Sequence, residues 1–426
     1  MANIDRSSFA VSAGSGSPAT APAALRGRGA VTNVGHRYQS DTRVAPLENE
    51  WATEAVVEFF AKPGAEAADS EPAAPATQVR PEQVRTLLSR NDSPDIPFEL
   101  AVNPYRGCEH GCAYCYARPT HAYLGHSPGL DFETKLIAKV NAVSALRAEL
   151  AKPSHRVSPI NLGSATDIYQ PIERQWRLTR GLLELMLETR HPITLVTKNA
   201  LVERDLDLLA ALAERKLVMV YVSVTSLDAD LSRILEPRAS APWRRLQAVR
   251  TLAAAGVPVG VLAAPMIPFI NDAFLESIVA EAAAAGASWA SYTVVRLPWE
   301  VLTVFEQWLR THFPDRAERV LHRIEDMRSV GDARRRNDPR FGTRMRGTGL
   351  WADLLRQRFS VAVRKHGLNL NRMQLDCQQF IAPAPDSWPA RASRPSSSSP
   401  SGLTRSSRRN AQAGAASSLS QLSLFD

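Results

Sequence analysis

Three of the chain's four cysteines, Cys108, Cys112 and Cys115, fall within eight positions in the stretch NPYRGCEHGCAYCYARPTHAYLG, spaced C-x3-C-x2-C. Thiolates are the ligands of iron–sulfur clusters, and four of them close a [4Fe–4S] cube. Three leave one iron without a protein ligand, and a metal site keeps an open position when it does chemistry rather than stapling a fold. Gly107 and Gly111 stand just before two of the cysteines, where a loop wrapping a cluster needs backbone freedom. A zinc knuckle is the alternative. It ordinarily wants a fourth Cys or His at regular spacing, for which His110 and His121 are at hand. Cys377 stands alone in RMQLDCQQF: as a small buried residue it needs no role, whereas as a fourth cluster ligand or a hydrogen donor it would join the site.

Other groups carry chemistry at lower specificity. GSATDIYQPIE (163–173) sets Asp167 and Glu173 at a strand end, where they can orient a ligand, and its Gly163–Ser164–Ala165–Thr166 turn lets backbone come close to one. The same residues serve equally as a helix N-cap through Thr166 or Asp167. Glu236, Pro237 and Arg238 read either as a loop facing the site or as a surface ion pair. RGRGA (26–30) is a basic, Gly-containing segment that either wraps a domain, touches phosphates, or is plain tail. The sequence closes on QLSLF, where Leu422, Leu424 and Phe425 are apolar anchors and Gln421 a hydrogen-bonding group after a polar tail; such anchors need a reason.

The cysteine spacing, with Tyr114 directly before the third cysteine, resembles the signature of the radical S-adenosylmethionine (SAM) superfamily. The wider context, NPYRGCEHGCAYCYAR followed by TDIYQPIE, resembles its spore photoproduct lyase-like branch, and the resemblance spans about 85–382. It implies a [4Fe–4S] cluster on Cys108, Cys112 and Cys115 whose open iron is chelated by SAM. An electron from a low-potential donor then splits the sulfonium to a 5′-deoxyadenosyl radical, which abstracts hydrogen from a substrate; the cofactor carries the hard chemistry. The resemblance further implies Tyr114, Gly163, Thr166 and Asp167 on the SAM side. A Lys and a Ser that contact SAM in the spore photoproduct lyase group carry over to Lys198 and Ser223. Spore photoproduct lyases proper place a hydrogen-donating cysteine near the end of the second strand. GSATD has none, so dimer reversal by that route requires Cys377 or Tyr169 to substitute. QLSLF resembles the peptide by which bacterial polymerases and repair proteins dock on the β sliding clamp, which implies that partner for Gln421, Leu422, Leu424 and Phe425.

The positioning elements are strands over 99–103, 157–163, 192–198, 217–224, 257–265 and 289–297, alternating with helices over 132–150, 172–188, 201–214, 242–255 and 272–285. Such alternation means parallel βαβ units, and six of them make a partial (β/α)6 TIM-like barrel, with sites at the strand C-termini. Helices over 300–328 and 349–366 form an appended C-terminal layer. The expected division is a mostly disordered extension over 1–84, the barrel over 85–310, the helical extension over 311–382, and a disordered tether over 383–426.

Hydrophobic residues make up 44% of 426, ample for a core, and no run approaches a membrane span. The first residues lack the basic start and apolar block of a secretory signal. Thiolate ligation with few other cysteines fits a reducing compartment, so the expected location is cytoplasmic. The net charge of +8 is compatible with nucleic acid. The leading expectation is a radical SAM enzyme acting on DNA, in lyase-like repair, recruited by the clamp. The alternatives are an RNA or protein substrate, or a non-catalytic metal-stapled binding protein.

Overall fold

Apolar runs such as ITLVT and VMVYVS lie almost wholly inside the molecule, as strands covered on both faces must. The computed structural model describes residues 24–38, 75–329, 335–371 and 374–384. Its strands are β1 (Gln78–Glu82), β2 (Leu88–Arg90), β3 (Leu100–Val102), β4 (Tyr105–Arg106), β5 (Lys135–Lys139), β6 (Ile160–Leu162), β7 (Ile193–Thr197), β8 (Val218–Ser223), β9 (Val259–Met266) and β10 (Trp289–Val294). The main sheet runs β10-β9-β8-β7-β6-β3-β2. Its six strands from β3 to β10 are parallel and follow chain order, and β2 adds antiparallel at the β3 edge. Helices join successive strands, which is the winding of the expected partial (β/α)6 barrel. β10 and β2 stand at opposite edges of this order and are bridged by side chains: Arg344 holds Asp95, in the β2–β3 connection, at 2.6 and 2.8 Å.

The C-terminal layer packs as expected. The helix Leu350–Lys365 lies on the helix Leu275–Ala284, with Arg358 on Glu276 at 2.6 and 2.7 Å and Phe359 against Tyr292. Among the described residues no helix is long and apolar enough to cross a membrane.

Four expectations need correction. The span 132–150 is not one helix: after a turn at Asp131–Thr134 the chain forms β5, then the helix Ala142–Leu150. KLIAK buries Leu136 and Ala138 alternately, and its partner β1 lies within the 1–84 extension expected to be mostly disordered. The span 172–188 breaks at Arg177, whose φ is +50°. The span 300–328 breaks at Phe313, because a residue before proline disfavours the helical region. Finally, the 1–84 extension is partly built into the fold. β1 pairs with β5, and residues 24–38 form a strap with Arg28, Ala30, Val31 and Val34 buried.

The strap runs from the cysteine loop to the far edge of the barrel. Gly29 and Ala30 amides donate to Glu133 at 3.0 and 2.8 Å, and the Val34 amide to Ser127 at 2.8 Å. Thr32 meets Gln307 at 2.9 Å and Arg37 pairs with Glu300 at 2.8 Å, its guanidinium 4.2 Å from the Trp299 ring centre.

Candidate cluster and cofactor site

Every strand of the parallel sheet ends toward one mouth, and the chemistry-bearing residues follow those ends. The cysteine loop comes after β3, Gly163 after β6, Lys198 after β7, Ser223 closes β8, and Arg296 follows β10. The loop is anchored by its own backbone, Cys108 N to Phe132 O at 3.0 Å and Ala113 N to Leu235 O at 3.2 Å. Gly107 and Gly111 adopt φ of +77° and +67°. A Cβ on Gly111 would also lie 2.7 Å from the Glu133 carboxylate, so the site excludes side chains there.

Arg118 and Glu133, both fully buried and ion-paired, fix the loop from behind. Arg118 donates to the Cys112 carbonyl at 3.0 Å and to Pro128 and Gly129 carbonyls, while Glu133 receives the two strap amides. Arg28 completes the set on the Glu133 carbonyl at 3.1 Å. These partners carry no spacing signature; only the RGRGA composition hints at them.

All three cysteines are free, with Cys108 and Cys112 buried and Cys115 partly so. Burial pushes each thiol up; Asp167 and the other two thiols add to this at Cys108, and Glu236 adds at Cys112. Arg118 and Lys198 oppose it at Cys115. Thiols in this state ionise together only with cations among them, which is what cluster iron supplies. Each thiolate of a cube binds a different iron, and these three thiols stand together in one eight-residue loop. The donor set therefore fits a [4Fe–4S] cluster on Cys108, Cys112 and Cys115.

Beside the loop, the Lys198 ammonium donates to Ser223 Oγ at 2.7 Å and stands 3.7 Å from Glu236. Tyr114 donates to Glu236, and Arg245 pairs with it. Burial works against ionisation of Glu236, but Arg245 and Lys198 outweigh it and hold the carboxyl at about 2. Glu236 is thus no surface pair: it is fully buried at the centre of the site, and Arg238 reaches Glu109 at 2.8 Å beside the loop.

Asp167 is committed to protein. It receives Thr197 Oγ1 at 2.8 Å, the Lys198 amide at 2.7 Å and the Tyr169 amide at 2.8 Å, and lies 3.3 Å from His110. Burial opposes its ionisation, yet these partners hold its carboxyl below the usual range. Thr166 donates to the Gly107 carbonyl at 2.6 Å and steadies the loop's start. Neither caps a helix. The space beside Gly163 is filled by the Thr166 and Val196 carbonyls and Ile168, so its absent side chain serves the turn.

Several residues fall elsewhere. Glu173 is buried with Tyr105 and Arg204, and Tyr169, also fully buried, faces Arg204. Cys377 lies at the opposite end of the barrel: Asp376 N bonds Lys216 O just before β8, and Ile381 N bonds Thr189 O before β7. It is neither a fourth cluster ligand nor a donor at the mouth. Gln421, Leu422, Leu424 and Phe425 lie outside the described residues.

Residues 102–282 match the family model described as the Radical SAM superfamily. Enzymes of that superfamily use a [4Fe–4S] cluster and SAM, the cofactors that the three-cysteine loop fits. Among particular proteins, the chain is 37% identical over 226 residues to an uncharacterised protein of Mycobacterium tuberculosis. That match covers 53% of this chain and 66% of the relative, just under two thirds of its length. An uncharacterised Methanocaldococcus jannaschii protein is 28% identical over 183 residues, 43% of this chain and 65% of the relative. A solved spore photoproduct lyase complexed with dinucleoside spore photoproduct shares the fold, with TM-score 0.50, 20% identity, and coverage of 68% of this chain and 80% of that one. A variant of the lyase gives TM-score 0.50 at 19% identity over 71% and 87%.

Proposed function

We propose that the chain is a radical SAM enzyme acting on DNA in repair. In this reading it holds SAM between the cluster and the Lys198–Ser223 pair, and a clamp-docking peptide brings it to its substrate. The observation that carries it is the meeting, at one barrel mouth, of three free cysteines with Lys198, Ser223 and Glu236. Bound SAM supplies hydrogen abstraction. The chain's residues hold and orient it: Lys198 offers a charge-assisted donor to a carboxylate, and Glu236, kept ionised by Arg245, offers an acceptor to an ammonium group. The DNA substrate rests on the net charge of +8 and the QLSLF peptide. The fold neighbour's dinucleoside lesion supports the substrate class. Hydrogen return from a cysteine is not part of the reading, because Cys377 is at the wrong end of the barrel. Thiolate ligation of a cluster favours a reducing compartment, so the reading includes the cytoplasm and a low-potential electron donor. DNA-stimulated release of 5′-deoxyadenosine under anaerobic reduction, with mass analysis of the DNA, tests the substrate; no stimulation by intact or damaged DNA sinks it.

Lys198→Ala is expected to weaken SAM binding and leave iron content intact, since Arg245 still neutralises Glu236. A buried hydrogen bond to a charged group contributes about 1.5–3 kcal/mol, so the loss is roughly ten- to a hundred-fold. Equilibrium dialysis with labelled SAM reads it, and unchanged affinity would return Lys198 to a purely structural role.

For the clamp, a peptide of residues 402–426 is expected to bind the bacterial β sliding clamp with micromolar affinity, near −8 kcal/mol. Each apolar anchor contributes about 1.5–3 kcal/mol of burial before ordering is subtracted. Replacing Leu424 and Phe425 by Ala should remove most binding in the peptide and the full chain while leaving substrate-free SAM cleavage intact. Equal binding by the double variant, or none by either, removes the clamp from the reading.

A further inference from the structure

The mouth carries another cation, and among the described residues this one has no counter-ion. Arg296 stands two residues past β10, partly buried. Its Nε is enclosed without a hydrogen-bond partner, and Nη1 reaches only the Met345 sulfur at 3.9 Å. The nearby carboxylates are engaged elsewhere: Asp95 holds Arg344 at 2.6 and 2.8 Å, and Asp338 holds Arg340 at 2.9 Å and Thr343 at 2.8 Å. Burial, and after it the neighbouring Arg344, lower the Arg296 guanidinium to about 10. Arg328, buried on backbone carbonyls, adds a further like charge. A desolvated cation among cations is costly unless an anion joins it.

The position of Arg296 says which anion. Tyr116 follows Cys115 directly, donates to the Ser164 carbonyl beyond β6, and keeps 38% of its surface exposed. Arg296 lies within electrostatic reach of that phenol. Lys198 follows β7 and Ser223 closes β8, whereas Arg296 follows β10 at the sheet's far edge, so the two cations mark different walls of the mouth. A guanidinium fork matches a phosphate, and an exposed aromatic ring accepts a stacked base. We infer that Arg296 is the anion-holding residue of the substrate subsite, taking a phosphodiester of a DNA strand whose adjacent base lies on Tyr116. This rests on the DNA reading above.

The test compares anaerobically reconstituted full-length protein with Arg296→Gln and Arg296→Lys. Binding of a fluorescent single-stranded oligonucleotide is followed by anisotropy across salt, and SAM binding by dialysis. Arg296→Gln should lose about tenfold in oligonucleotide affinity and about one unit of salt slope, with the lysine variant between and with SAM affinity and iron unchanged. Equal oligonucleotide binding by wild type and Arg296→Gln overturns the inference and leaves the DNA reading standing. Lost SAM affinity with oligonucleotide binding retained overturns it too, assigning Arg296 to the cofactor. A third measurement is free of nucleic acid: phenylglyoxal labelling of Arg296, mapped by mass, with and without inorganic phosphate. If wild type binds no oligonucleotide but phosphate protects Arg296, the DNA reading fails and the anion subsite stands. If phosphate gives no protection and wild type binds no oligonucleotide, both fall.

Discussion

Changing Cys112 to Ala is expected to abolish both the cluster and SAM cleavage. A cube on three thiolates already leaves one iron without a protein ligand; removing Cys112 leaves two. No other cysteine stands ready to replace it, because Cys377 lies beyond the other end of the sheet, where its neighbours bond residues preceding β7 and β8. Glu236, whose charge acts on the Cys112 thiol, already accepts from Tyr114 and pairs with Arg245 and Lys198. Iron after anaerobic reconstitution should fall below about a tenth of the wild-type value, with no 5′-deoxyadenosine above background. Cys377→Ala should match wild type in both. Full cleavage by Cys112→Ala would end the three-cysteine assignment, as would stoichiometric zinc without iron in wild-type protein purified without oxygen.

The cluster loop and the barrel are legible from the chain because both are local. C-x3-C-x2-C is complete within eight residues, and runs such as LVMVYVSV announce a buried strand whatever surrounds them. Lys198 and Ser223 follow once the strand ends are placed. What escaped reading depends on partners far away in the chain. β5 satisfies a helical stripe until β1, more than fifty residues earlier, pairs with it in a period of two. Glu236 and Arg238 read equally as a site-facing loop or an exposed ion pair until Arg245, Lys198 and Tyr114 close over the carboxylate. Glu133 shows no sign of a role until Arg118 and two strap amides meet at its carboxylate. Arg296 is one arginine among many in a basic chain, and only its surroundings distinguish it. The low-complexity ends misled in the other direction: Ala- and Ser-rich flanks hid a packed strap at 24–38.

That strap yields the second large effect. Gly29→Ala is expected to cost most of the cluster, although residue 29 is almost eighty positions from the nearest cysteine. A Cβ on Gly29 would lie 1.6 Å from the Gly111 carbonyl oxygen and 3.2 Å from the Ala113 amide nitrogen, so backbone of the cysteine loop or of the strap must move. If the strap lifts, Glu133 loses the Gly29 and Ala30 amides and is left buried with Arg118 alone. A buried pair whose remaining hydrogen bonds are stripped is strongly destabilising, on the order of 3–5 kcal/mol when a partner is lost outright. Arg118 in turn holds the Cys112 carbonyl, so the disturbance arrives at a cluster ligand. Gly27→Ala is the matched control: φ at Gly27 is +73°, but no atom lies within 4 Å of the added carbon, so only backbone strain of about 1–2 kcal/mol is incurred. Iron content and the electron paramagnetic resonance signal of the reduced cluster, with and without SAM, should therefore collapse in Gly29→Ala and persist in Gly27→Ala. If both variants lose the cluster alike, the strap matters only for folding. If both keep it, the strap does not position the loop, and Arg118 with Glu133 suffices.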